Sequence, residues 1–285
     1  MGSKVIVIGL DGATFGVIDP LIERGYLPNM KYFRREGASQ VLHSTVPAVT
    51  GPAWMAFATG KKPGRTGIID FRNLKDPGRY KLEPISSADF AENGSLWDYV
   101  GLEGGRVCVF NYPMLSPAYE INGFMTAGVG AVINSDITFP AGLKGELEKI
   151  MGGNYTGSVP YIEDIYLENP GLFIKDLNRL LDKNIKAINY LSGRYDWDLF
   201  LSVVSGSDFL LHHMWDTWKE YVSGGFDEKI GRAADFIDIW VRIDRFIGQM
   251  RRDHPEAGMF IVSDHGFQGI KDVFYIDGSN ARDSW

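Results

Sequence analysis

The chain has 285 residues, 45% of them hydrophobic and 23% charged, enough to bury a sizeable core in one large α/β domain or two smaller ones. Its formal net charge of -7 excludes a general nucleic-acid-binding surface, which needs a basic face, but leaves room for a local positive pocket. The single cysteine, Cys108, excludes an intramolecular disulfide framework, and in the run Val107-Cys108-Val109-Phe110 it reads as a buried structural thiol.

The first expected strand covers residues 4–10. Its apolar run Val5-Ile6-Val7-Ile8 meets Asp11 too soon to be a signal peptide or a membrane span. With a lone cysteine and no secretory signal, the expectation is a cytoplasmic protein with no membrane contact. A helix is expected over 29–36, ending at Gly37, and a strand over 38–43. A helix over 51–58, a strand over 67–71 and a helix over 95–100 opened by Ser95 follow. Next come strands over 106–111 and 124–127 and a helix over 143–151. The turn-rich, aromatic stretch at about 152–170 reads as an insertion or small cap on a single domain, 1–285. Beyond it lie a helix over 171–191, a strand over 198–204, a helix over 226–251 and a strand over 258–263. A last strand-like run, 273–276, leads into a polar tail, so the fold is expected to be cut short at its C-terminus. Several strands are apolar at consecutive positions. Together with the strand–helix alternation, this predicts an α/β fold with a mostly parallel central sheet and helices on both faces.

Three aspartates stand just past strands. Asp11 follows the first strand, Asp208 follows 198–204 after a Ser-Gly-Ser loop, and Asp264 follows 258–263. In a parallel open sheet such positions share the carboxyl edge, where ligands bind. Unpaired carboxylates gathered there repel one another, and a metal cluster resolves the repulsion. Histidines accompany two of them. Asp208 and His212 sit four apart, on one face of a helix, and Asp264 adjoins His265. This donor mix suits zinc, and manganese or iron less specifically. Each element alone has a plain explanation, as an Asp-Gly turn, a helix cap or a structural histidine; the combination is what points to metal.

In the segment Thr45-Val46-Pro47-Ala48-Val49-Thr50-Gly51-Pro52-Ala53-Trp54, Thr50 opens a helix with Gly51 and Pro52 in its first turn. A hydroxyl beside free backbone N–H groups suits a phosphate dianion, and a base or a metal would make it a nucleophile. The plain alternative is that Thr50 is only a helix cap.

Asp11-Gly12, Thr50-Gly51-Pro52-Ala53-Trp54, Thr59-Gly60, Asp208-x-x-x-His212 and Ser263-Asp264-His265-Gly266, in that order and spacing, resemble the alkaline phosphatase superfamily. The branch they are most similar to is type I phosphodiesterase/nucleotide pyrophosphatase, in which the nucleophilic threonine lies nine residues before the threonine of a Thr-Gly pair, as Thr50 does before Thr59. The resemblance implies a hydrolase of small phosphate esters, nucleotides among them, acting through a phosphothreonine on Thr50 and two divalent ions, zinc first and manganese as an alternative. It assigns Asp11, Thr50, Asp264 and His265 to one metal, and Asp208, His212 and a further histidine to the other. The sequence departs from the pattern in three places. No histidine follows Gly266, Phe71 stands where the branch has a phosphate-binding Asn, and Thr66 stands where it has His. Asn111, Arg72, Lys61 or Lys62 could substitute for the missing Asn. An aromatic group, His213, Trp215, Trp218 and Tyr221, lies near Asp208–His212 as a candidate base-stacking or leaving-group wall. The competing reading is a truncated, weakly active or inactive core that serves as a metal- or phosphate-binding module.

Overall fold

The computed structural model describes residues 4–270 except 77, 79–80, 132–135 and 161–162. In chain order its elements begin with β1 (Val5–Leu10), α1 (Phe15–Glu23), α2 (Pro28–Glu36), α3 (Thr50–Thr59) and α4 (Pro63–Thr66). There follow β2 (Arg72–Asp76), β3 (Lys81–Pro84), α5 (Ser87–Asn93), α6 (Leu96–Leu102), β4 (Val107–Tyr112), β5 (Gly123–Ala127) and β6 (Thr138–Phe139). The chain continues through α7 (Leu143–Met151), α8 (Glu163–Glu168), α9 (Pro170–Arg194), β7 (Leu199–Val204), α10 (Gly206–Ser223), α11 (Ala233–Asp253) and β8 (Gly258–Val262).

Six strands form one sheet in the order β6-β5-β4-β7-β1-β8, parallel except for β6, which runs antiparallel to β5. Strand residues point alternately to opposite faces, so a continuous apolar run feeds two cores at once. Ile6, Ile8 and Leu10 of β1, Cys108 and Phe110 of β4, and Phe200 of β7 enter one core, under α1, α2, α9, α10 and α11. Val7, Val107, Val109, Leu199, Leu201 and Val203 enter the other, under α3, α5 and α6. Each of these side chains, once fully buried, contributes about 1.5–3 kcal/mol. This is the mostly parallel α/β sheet with helices on both faces that the sequence predicts, and Cys108 is buried in it.

Short elements that the sequence did not announce, among them α5 and the β3 strand, are added to the expected ones, and several expected elements differ. Residues 38–43 form no strand: Val41 and Leu42 are exposed and no neighbouring strand pairs with them. Residues 67–71 are a bend as well, because Gly67, at φ +73°, terminates the short α4; the strand starts at Arg72 and pairs with β3 as a separate hairpin. Helix α1, masked in the sequence by Pro20, is capped by Thr14, whose hydroxyl accepts from the Gly16 amide. The expected helix over 226–251 begins only at Ala233, after turns around Phe226, which has φ +67°. The expected strand at 273–276 and the tail after it lie outside the described residues.

The 152–170 stretch contains α8 and is anchored at two buried tyrosines. The Tyr155 hydroxyl donates to the Ala127 carbonyl at 2.8 Å, and Tyr166 packs edge-on to Phe173 of α9. Among the described residues no helix is long and apolar enough to cross a membrane. β8 is an edge strand with β1 as its one neighbour among them, and an apolar groove of about 990 Å³ runs along it, lined by Leu10, Phe33, Phe57, Met259 and Phe260 and reaching His265.

Candidate active site

Strands β7, β1 and β8 are consecutive in the sheet, and each delivers one aspartate at its carboxyl end. Residues nearly the whole chain apart are brought together because neighbouring strands lie about 4.8 Å apart. Asp11, Asp208 and Asp264 are all buried. Asp11 leaves β1 with its amide bonded to the Val204 carbonyl at 3.2 Å, while its own carbonyl accepts from the Ser207 hydroxyl at 2.7 Å. The Asp264 carbonyl accepts from the Ser44 hydroxyl at 2.6 Å, and its Oδ1 accepts from the Gly12 amide at 3.1 Å. Gly12 has φ +66°, and a Cβ there would lie 2.6 Å from Oδ1 of Asp208; the turn after β1 needs glycine for conformation and for space.

Ligand atoms of Asp11, Asp264 and His265 all lie within 4.8 Å of one another. The Nδ1 of His265 is 2.9 Å from the Gly266 carbonyl, which can only accept, so Nδ1 carries a proton and Nε2 is the ring nitrogen left to serve as a ligand atom in the neutral imidazole. Nε2 faces Oδ2 of Asp264 at 3.3 Å and Oδ1 of Asp11 at 3.6 Å. Oδ2 of Asp264 and Oδ1 of Asp208 are buried without a hydrogen-bond donor. Oδ1 of Asp208 faces Nε2 of His212 at 3.5 Å, on the same side of α10. Lone pairs converging on one point repel unless a cation lies between them, and a mixed imidazole and carboxylate set fits a divalent metal.

The electrostatics agree. Burial raises the Asp11 carboxyl well above the ordinary carboxylate range, and the charges of Asp264 and Asp208 add to the rise. Burial likewise raises Asp208, against the opposing pull of His212 and His265. Asp264 is pushed up to about 6 by burial, opposed by His265 and the Gly12 amide.

Thr50 is the first residue of α3, and the helix cap is Val49, which has an extended backbone. The threonine hydroxyl therefore caps nothing. It is buried and lies 3.2 Å from Nε2 of His265 and 3.5 Å from Oδ1 of Asp11. The first α3 amide bonded back to the preceding turn is that of Ala53, to the Val49 carbonyl at 3.0 Å, and Pro52 has no N–H. The Thr50 and Gly51 amides have no protein acceptor among the described residues. Gly51 is required here because a Cβ would lie 2.9 Å from the Asp70 carbonyl.

A family model described as type I phosphodiesterase / nucleotide pyrophosphatase matches residues 5–283. The chain belongs to the type I phosphodiesterase / nucleotide pyrophosphatase family. No curated protein sequence matches it. Two solved structures of phosphonoacetate hydrolase from Sinorhizobium meliloti 1021, one with phosphonoformate and one with phosphonoacetate, are similar to this chain with TM-score 0.54 and 17% identity. Each match covers 93% of this chain and 56% of that one, so this member of the family spans little more than half the length of the solved neighbour. The likeness confirms the alkaline phosphatase-like α/β fold.

The structure does not gather every residue that the family resemblance suggested. Asn111 is fully buried: its Nδ2 donates to the Val203 carbonyl at 3.0 Å and its Oδ1 accepts from Tyr155 at 3.4 Å, which ties its side chain to the sheet and to the 152–170 stretch. Lys61 lies beyond the far end of α3, about 15 Å of helix from Thr50, with its ammonium on the Asn93 carbonyl. Arg72 stands exposed at the start of β2, and its guanidinium makes no hydrogen bond or ion pair with any described residue. The aromatic group is divided. Trp218 and Tyr221 are buried in the core, His213 stacks on Phe173 at 4.1 Å, and Trp215 alone packs beside Phe267, whose ring lies edge-on to His212. Sequence reasoning overlooked Trp54, whose indole nitrogen donates to Oδ2 of Asp11 at 3.3 Å; its place one helical turn after Thr50 was the available signal.

Proposed function

We propose that the chain is the phosphoryl-transfer core of a metal-dependent phosphoric ester hydrolase with Thr50 as its nucleophile. The observation that carries this reading is the convergence of the Thr50 hydroxyl, Nε2 of His265 and the Asp11 and Asp264 carboxylates at one sheet edge. Asp11, Asp264 and His265 would hold one divalent ion beside Thr50, with Asp208 and His212 as protein donors toward a second; zinc and manganese both suit these donors. A bound ion there would neutralise the carboxylates and lower the pKa of the threonine hydroxyl.

Thr50 Oγ1 forms a bond to phosphorus as the bond to the leaving oxygen breaks, and the hydroxyl proton departs with the leaving group. The phosphoryl group rests on Thr50 until water displaces it. The free Thr50 and Gly51 amides and the positive end of α3 face the charge that builds on the phosphoryl oxygens. The substrate is a small phosphate ester, and a cytoplasmic location fits the lone buried thiol. The segment at 152–170 serves as a small cap. Thr50→Ala should abolish hydrolysis of bis-(p-nitrophenyl) phosphate while the protein keeps its fold and its bound metal. Retained turnover in that variant would rule out the threonine mechanism.

One observation favours a second reading. Among the described residues, Asp208 and His212 have no third protein donor beside them. If this pair holds no ion, the chain is a one-metal, phosphate-binding core without turnover. Elemental analysis separates the two readings: two ions per chain fit the hydrolase, and one ion without hydrolysis fits the binding module.

A further inference from the structure

Asp264 and Asp11 each have one carboxylate oxygen held by a donor and the other presented. Asp264 is held through Oδ1 by the Gly12 amide, which leaves Oδ2 facing His265. Asp11 is held through Oδ2 by the Trp54 indole, which leaves Oδ1 facing both His265 and Thr50. The first anchor is backbone and comes with the turn after β1. The second is a side chain, and the surroundings are shaped to hold it. Trp54 is fully buried, and a Cβ on Gly9 of β1 would lie 2.4 Å from its Cη2, so the strand leaves a gap for the indole. The Trp54 carbonyl accepts from the Tyr112 hydroxyl at 2.6 Å, and the Tyr112 ring packs edge-on to the indole at 5.6 Å. Trp54 lies on the same helix as Thr50, one turn on, so α3 carries both the hydroxyl and the group that aims the carboxylate beside it.

We infer that Trp54 is a positioning residue for the metal site: its indole N–H fixes Asp11 in the one carboxylate orientation that directs Oδ1 at the point shared by His265 and Thr50. Without that donor the carboxylate can rotate, and Oδ2 becomes a further buried oxygen without a partner. The inference rests on the reading that Asp11, Asp264 and His265 bind a divalent ion. Donors that orient metal ligands typically account for 10- to 100-fold in metal affinity.

The test is calorimetric titration of the full chain, first stripped with chelator, with Zn²⁺ and with Mn²⁺. Trp54→Phe keeps an aromatic ring and removes the N–H. Trp97→Phe is the matched control, since Trp97 is equally buried in the same core but donates to Tyr119 instead. The expected result is that Trp54→Phe weakens the tightest metal site by about 10- to 100-fold, while Trp97→Phe leaves it within a few-fold of wild type. Equal affinities in wild type and Trp54→Phe, or an equal loss in both variants, would overturn the inference while leaving the metal reading in place. A wild-type chain that takes up no metal would overturn both. Should Trp54→Phe fail to fold, Gly9→Ala displaces the indole without removing it and should weaken the same site; unchanged affinity there would equally overturn the inference.

Discussion

At the scale of single residues, the site is a balance between burial and charge. Asp264 is pushed up to about 6 by burial, whereas an unfolded carboxyl titrates near 4. The metal-free fold therefore prefers Asp264 protonated. Its contribution to stability is complete below the unfolded value and is lost as pH rises through about 6. Urea unfolding in the presence of chelator should show wild type losing stability relative to Asp264→Asn between pH 4.5 and 7.5, with the difference closing when metal is restored. Asn111 carries the opposite lesson. Its polar side chain is committed to the sheet and its backbone takes φ +57°, a conformation that Asn tolerates better than most residues. Asn111→Ala should cost about 1–3 kcal/mol in unfolding experiments, because it strands the Val203 carbonyl, and should act through stability rather than through substrate affinity.

At the scale of elements, the candidate metal-ligating set was readable because each aspartate follows a strong apolar run. The strand order β7-β1-β8 could not be read, yet it alone makes the three exits adjacent. Thr50 was legible as the opening of a helix. Whether its hydroxyl capped that helix depended on the turn before it, and Val49 took that place. Residues 38–43 misled because composition reports strand propensity, whereas a strand exists only with a neighbour to bond. Helix α1 was hidden by Pro20, which tertiary packing of Val17, Ile18 and Leu21 overrides. The turn at Gly12 joins β1 to the cluster, and its closeness to Asp208 gives a sharp expectation. Gly12→Ala, strained at φ +66° and crowding Oδ1 of Asp208, should lower stability by about 1–2 kcal/mol and weaken metal uptake by the Asp208–His212 pair more than by the Asp264–His265 pair. Metal counts against added Mn²⁺ would show it.

At the scale of the whole molecule, the candidate ligands sit just past the carboxyl ends of β7, β1 and β8, in the sheet that divides the two cores, so metal bound there would be coupled to global unfolding. A ligand that binds only the folded state at 100 times its Kd adds about 2.7 kcal/mol. The melting temperature should therefore rise with free Zn²⁺ or Mn²⁺ in wild type and stay flat in Asp11→Asn. The flank of the sheet at β8, uncovered among the described residues, has a consequence of a different kind. The Gly258 amide bonds the Lys4 carbonyl at 2.9 Å, toward β1. Strand geometry then turns the amides of Phe260 and Val262 the same way, and those of Met259 and Ile261 outward. In deuterated buffer β8 should exchange in a two-residue rhythm, fast at Met259 and Ile261 and slow at Phe260 and Val262. That rhythm would vanish once any strand, from this polypeptide or another, added to the edge, so proton exchange at two amides reports whether the flank is covered.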